Sequence, residues 1–86
     1  MRSSEMEHKL QEIVRAALEL EPGTDVTHAQ QANVATWDSL AHVSLMLAIE
    51  SEFGLAIGMR DQLELTSYDA IRRYVVGRNG GNGAST

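Results

Sequence analysis

The run from Ser39 to Phe53, SLAHVSLMLAIESEF, constrains the fold more than any other part of the chain. On a helical wheel Leu40, Val43, Met46, Leu47, Ile49 and Phe53 cover about half the circumference, and Ala41, Leu45 and Ala48 widen it, leaving a narrow strip around Ser44 and Ser51. A helix of that kind is expected at the centre of its domain, touched on several sides. Its start is marked by Asp38 or Ser39, both good N-cap residues, and its end by Phe53-Gly54, because glycine is the usual residue just past a helix terminus.

The partners of this helix lie on either side in sequence. Ser4-Glu5-Met6-Glu7 fits a capping box, and Met6, Leu10, Ile13, Val14, Ala17 and Leu18 follow at helical spacing until Pro22-Gly23 stops the run. From Glu21 to Trp37 the chain is polar, with Val26 and Val34 its only aliphatics beyond alanine, which predicts a long loop tacked down at two points. Loops of that length inside compact domains are often functional. Met59 to Leu65 fits a short helix with Leu63 and Leu65 inward. Thr66-Ser67-Tyr68-Asp69 opens a last helix, with Tyr68, Ile71, Tyr74 and Val75 on one face and an end near Gly77. The expected fold is all-α: a small bundle of three main helices plus one short helix, with a long loop after the first. Residues 1–76 form the domain and residues 77–86, with four glycines, form a flexible tail.

Composition narrows the function. At 86 residues the chain makes one small domain, in which a deep enclosed active site is hard to build. Seven Lys and Arg against twelve Asp and Glu give a net charge of −5, which argues against a nucleic-acid partner and favours basic protein surfaces. Without cysteine there is no disulfide and no thiolate metal site. The N-terminal MRSSEMEHKLQEIV offers neither a secretory signal nor a membrane span, so a cytoplasmic monomer is expected. His8, His28 and His42 are widely separated and show no metal-ligand spacing. The glycine-rich tail lacks the lysine and the flanking elements of a phosphate-binding loop. Met46 and Met59 read as core filler, although methionine also suits an adaptable ligand pocket.

The remaining candidate is TWDSLAHV, residues 36–43. Asp38-Ser39 is good helix punctuation, but a serine in the first turn after a long loop is also reachable by another protein. A phosphate carried there would be favoured by unpaired backbone N–H groups and by the positive end of the helix dipole. A hydrolytic Ser39 is disfavoured: His42 and Asp38 are close in sequence, yet consecutive residues at a helix start do not supply an oriented triad with a separate oxyanion hole, and no G-x-S-x-G elbow is present. His42 reads as a partly exposed surface residue. Trp37 fits either a packing staple that fixes the entry angle of the chain or an exposed contact for a partner.

The order of elements, together with WDSLAHVSLMLAIESEFGLAI and then LTSYDAIRRYV, resembles the acyl carrier protein family over roughly residues 5 to 76. The most specific part is Asp38-Ser39-Leu40 opening an apolar helix that ends in Glu-Phe-Gly. The resemblance implies that Ser39 receives 4′-phosphopantetheine from coenzyme A through a phosphopantetheinyl transferase, and that acyl groups ride as thioesters on the cofactor thiol between loading and processing enzymes. The protein itself would not be an enzyme. The resemblance also places Trp37, Asp38, Leu40, His42, Ser44, Leu47, Glu50 and Ser51 where partners are met. Two departures from the family pattern stand out. Ala41, His42 and Ser44 leave the first turns uncharged beyond Asp38, where many fatty-acid carriers show acids, and Ala35-Thr36-Trp37 replaces the common Leu-Gly and small residue. Both favour a stand-alone carrier of a specialised pathway, such as polyketide or modified-lipid chemistry, over the general carrier of fatty acid biosynthesis. An aminoacyl or peptidyl carrier, or a non-enzymatic helical adaptor with the same fold, are the alternatives.

Overall fold

The computed structural model describes residues 3–79; of the flexible tail expected over residues 77–86, the first three residues are helical and the rest lie outside the described residues. Four helices form in the expected order: α1 (Ser3–Ala17), α2 (Ser39–Phe53), α3 (Met59–Glu64) and α4 (Tyr68–Asn79). The protein is thus a small helical bundle, and among the described residues no strand forms. An isolated antiparallel bridge joins Gln30 to Ser67. None of these helices is long and apolar enough to cross a membrane.

One core holds the bundle together. It gathers Met6, Leu10, Val14 and Leu18 from the first helix and its end, Leu45, Met46 and Ile49 from α2, and Tyr68, Ile71 and Val75 from α4. Those residues recur at helical spacing along one face of each element, which is why each helix can be buried on one side only. Ion pairs cross the seams outside the core: Lys9 with Glu52 at 3.0 Å ties α1 to α2, and Arg72 with Glu7 at 3.0 Å ties α4 to α1.

The first helix ends by a device other than the one expected. Pro22-Gly23 lies beyond the last turn, and the chain turns out of the helix at Glu19, whose φ of 57° is left-handed. Leu20 N–H then reaches back to Arg15 O at 2.8 Å, the long capping bond that follows a left-handed residue. α2 ends with glycine as expected. Gly54 has φ 65° and ψ 39°, its N–H donates to Glu50 O, and Leu55 N–H donates to the same carbonyl at 3.0 Å.

Residues 21–37 carry no helix, as expected, but they are held at more points than Val26 and Val34. Val26, Ala29 and Trp37 are buried, whereas Val34 is half-buried. Arg15 Nε–H donates to Thr24 O at 2.7 Å, Gln31 N–H to Thr66 O at 2.8 Å and Tyr68 N–H to Ala29 O at 2.9 Å. The segment is therefore sewn to α1 at one end and to the start of α4 at the other, which delivers Trp37 and Asp38 to the mouth of α2 at a defined angle. At its far end α4 continues past the expected stop at Gly77 to Asn79. Arg78 explains part of that extension, lying 4.7 Å over the Tyr74 ring and 3.9 Å from Asp61 of α3.

Candidate functional site

Asp38 sets the start of α2. With φ −92° and ψ −174° it is extended rather than helical, and its Oδ1 accepts from Ala41 N–H at 2.8 Å. Ser39 is the first helical residue and is exposed. The capping bond consumes one of the free N–H groups of the first turn, and the dipole end faces outward at Ser39. Its hydroxyl is reachable from solvent.

His42 is not available to Ser39 as a base. His42, the nearest candidate base, has both ring nitrogens engaged elsewhere: Nδ1 accepts from Trp37 Nε1–H at 3.0 Å and Nε2 lies 2.7 Å from Gln62 O on α3. Because indole donates and does not accept, Nδ1 must be unprotonated, so Nε2 carries the hydrogen and donates to the Gln62 carbonyl. The tryptophan and histidine rings also stack, with centroids 6.1 Å apart and planes 28° from parallel. Of the two readings of Trp37, packing is the one observed: it is 2% exposed and forms the floor beneath the helix start rather than a surface contact.

Glu50 also turns inward. Its Oε2 accepts from Ile57 N–H at 2.7 Å, and Gln62 Nε2 donates to Ile57 O at 2.9 Å, so the α2–α3 connection is clamped from both sides. The residues expected to meet partners thus separate into two groups. Trp37, His42 and Glu50 brace the site from within, while Asp38, Leu40, Ser44, Leu47 and Ser51 are exposed.

The expectation that α2 is covered on several sides is corrected. Only Leu45, Met46 and Ile49 of this helix are buried, because α1 packs against one flank; Leu40 is 77% exposed, Val43 51% and Leu47 59%. These three lie on one stripe, running away from Ser39. On α3, Leu63 is 73% exposed where the pattern predicted it inward, and Met59, read as core filler, is 79% exposed; Leu65 is buried as expected. Sequence reasoning missed Val43, Met59 and Leu63 as surface residues. The available signal was arithmetic: α2 offers more apolar surface than so few neighbouring helices can cover.

Three grooves open on the surface, the first of them beside the site. One of about 240 Å³ is lined by Ala17, Glu19, Thr36, Asp38, Leu40, Ala41 and Ser44, beside the helix start. Another of about 450 Å³ follows the long loop from Leu20 to Thr36, and a third of about 560 Å³ lies between α1 and Pro22-Gly23. None of the three is lined by a residue of α3. Among the described residues no three His, Asp or Glu side chains converge as a metal-binding group. No protein-family model matches the chain, and no curated protein matches it.

Proposed function

We propose that this chain is a non-catalytic acyl carrier, with 4′-phosphopantetheine attached through a phosphodiester to Ser39 and acyl groups held on its thiol as thioesters. The observation that carries the reading is the placement of Ser39: exposed, first in a helix capped by Asp38, and followed by the exposed apolar stripe of Leu40, Val43 and Leu47. The hydroxyl is open to a transferring enzyme, the helix dipole favours the phosphate, and the chain has no cysteine of its own to compete with the cofactor thiol.

The stripe then acts as the docking face for the transferase and for the enzymes that load and process the cargo. Between Asp38 and Glu52 the only acid of α2 is Glu50, whose carboxylate is occupied by Ile57 N–H, so apolar packing holds these contacts and the net charge of −5 steers encounter with basic partners. That balance suits a dedicated carrier of a specialised pathway. The same stripe favours a second reading, a helical adaptor that binds partners without cargo, since it is exposed whether or not Ser39 is modified.

Incubation with coenzyme A and a broad-specificity phosphopantetheinyl transferase distinguishes them. The carrier reading expects an intact-mass gain of one phosphopantetheine, lost in Ser39→Ala. An unmodified wild-type chain under several transferases, with partner binding unchanged in Ser39→Ala, would leave the adaptor.

A further inference from the structure

The side chains between α2 and α3 form a continuous set of ties. His42 Nε2–H binds Gln62 O at 2.7 Å, Gln62 Nε2–H binds Ile57 O at 2.9 Å, and Ile57 N–H binds Glu50 Oε2 at 2.7 Å. Two of them start from α2, one at its first turn and one at its last, so the seam is fastened at both ends, and the third holds Ile57 to α3. Behind the first tie stands Trp37, 2% exposed, whose N–H has His42 as its acceptor. From these contacts we infer that the seam is locked, and that an acyl group carried at Ser39 does not enter between α2 and α3, even when it is a medium-length aliphatic chain. The inference rests on the carrier reading and specifies how that carrier keeps its cargo.

A chain of methylenes entering between α2 and α3 would have to part His42 from Gln62 and displace side chains that are already closely packed. Leu45, Met46 and Ile49 are 0–1% exposed, and none of the three grooves described above reaches α3. Opening a space among them removes contacts of the same kind as the incoming chain would make, so those two contributions nearly offset. The hydrogen bonds then decide. Each of the two that join α2 to the far side disfavours the open form by about 5- to 10-fold, and the two together by roughly 25- to 100-fold. Outside the seam, such a chain has the Leu40, Val43 and Leu47 stripe to rest on, with no bond to break.

The test compares two loaded forms of the full chain, prepared from acetyl-coenzyme A and octanoyl-coenzyme A with a broad-specificity transferase. Methyl NMR signals of Leu45, Ile49 and Ile71 are expected to superimpose in the two forms; displacement of these signals by octanoyl but not acetyl overturns the inference. In His42→Ala, which removes the first tie, octanoyl is expected to shift them. Glu50→Gln, which weakens the last tie without touching the Trp37 contact, serves the same purpose if His42→Ala does not fold. Should the wild type gain no phosphopantetheine, the carrier reading fails by itself. The seam is then judged from Ser39→Cys alkylated with N-octylmaleimide or N-methylmaleimide: superimposed core signals support a locked seam, and octyl-dependent shifts overturn it.

Discussion

His42→Ala is expected to cost far more than its half-exposed position suggests. Most substitutions on a protein surface change stability by less than about 0.5 kcal/mol. His42, however, is the acceptor for the N–H of a tryptophan that is 2% exposed, and the donor to the Gln62 carbonyl. Removing the ring leaves the indole N–H buried without a partner, at about 1–3 kcal/mol, and forfeits the second bond, at about 1 kcal/mol. The loss is therefore about 2–4 kcal/mol, a large share of the roughly 4–13 kcal/mol expected for a domain of this length. A double-mutant cycle with Trp37→Phe isolates the orphaned donor: once the N–H is gone, His42→Ala is expected to cost about 1–2 kcal/mol less than it does in the wild type. Urea unfolding followed by circular dichroism at 222 nm measures all four corners, since Trp37 is the only tryptophan and fluorescence is lost in two of them. A His42→Ala cost below about 0.5 kcal/mol, or strict additivity in the cycle, would refute the bracing role assigned to this pair.

Other parts of the structure give independent tests. Glu19 occupies a left-handed position that glycine adopts without strain, so Glu19→Gly is expected to stabilise the fold by about 0.5–1 kcal/mol, read as a rise of a few degrees in Tm; a lower Tm would contradict the helix end described here. The Tyr68 hydroxyl is buried without a hydrogen-bond partner, and burial raises its pKa above the ordinary tyrosine value of 10.0. In the folded state the proton is then held more tightly than in the unfolded chain, so stability is lost as pH climbs through 10.0 toward the raised folded value. Tyr68→Phe should match or exceed the wild type at neutral pH and show a shallower alkaline decline in thermal melts. Leu47→Ser, at a site 59% exposed, is expected to leave stability within about 0.5 kcal/mol while lowering transferase kcat/KM; unchanged kinetics would remove Leu47 from the docking face.

Both ends of α2 were legible because each is written locally. Asp38 can cap by reaching three residues forward, and Gly54 is the residue type that accepts a left-handed turn. The stop of α1 was misread for the converse reason. A glutamate carries no mark of a left-handed conformation, so Pro22-Gly23, the visible breaker, drew the boundary instead of Glu19. Periodicity placed Leu10, Val14, Leu45, Ile49 and Ile71 in the core, yet it does not report how many neighbours a helix has, and the exposure of Leu40, Val43 and Leu47 follows from that number. α3 is six residues long, too short for a moment to fix its orientation, which is why Leu63 faces out. The bracing of the site was hidden further still. Trp37 meets His42 across a helix boundary, His42 meets a backbone oxygen 20 residues away, and Glu50 meets a backbone N–H beyond the helix end. Backbone partners leave no trace in side-chain identity, so residues assigned to partner contact turned out to hold the seam.

These assignments give the exposed stripe and the braced helix start distinct duties. Substitutions on the stripe should alter encounter with partners, and substitutions beneath it should alter the fold. Ser39 belongs to neither group: it packs against nothing in the core and makes no cap of its own. On the carrier reading proposed above, its role is to hold the cofactor.

The most direct measurement is tandem mass spectrometry of the chain isolated from its own cells, with the modified residue mapped and any thioester captured intact. The account predicts phosphopantetheine on Ser39, with an acyl group on its thiol in part of the population. A chain recovered only in unmodified form from cells actively producing it, or modified at any residue other than Ser39, would contradict it.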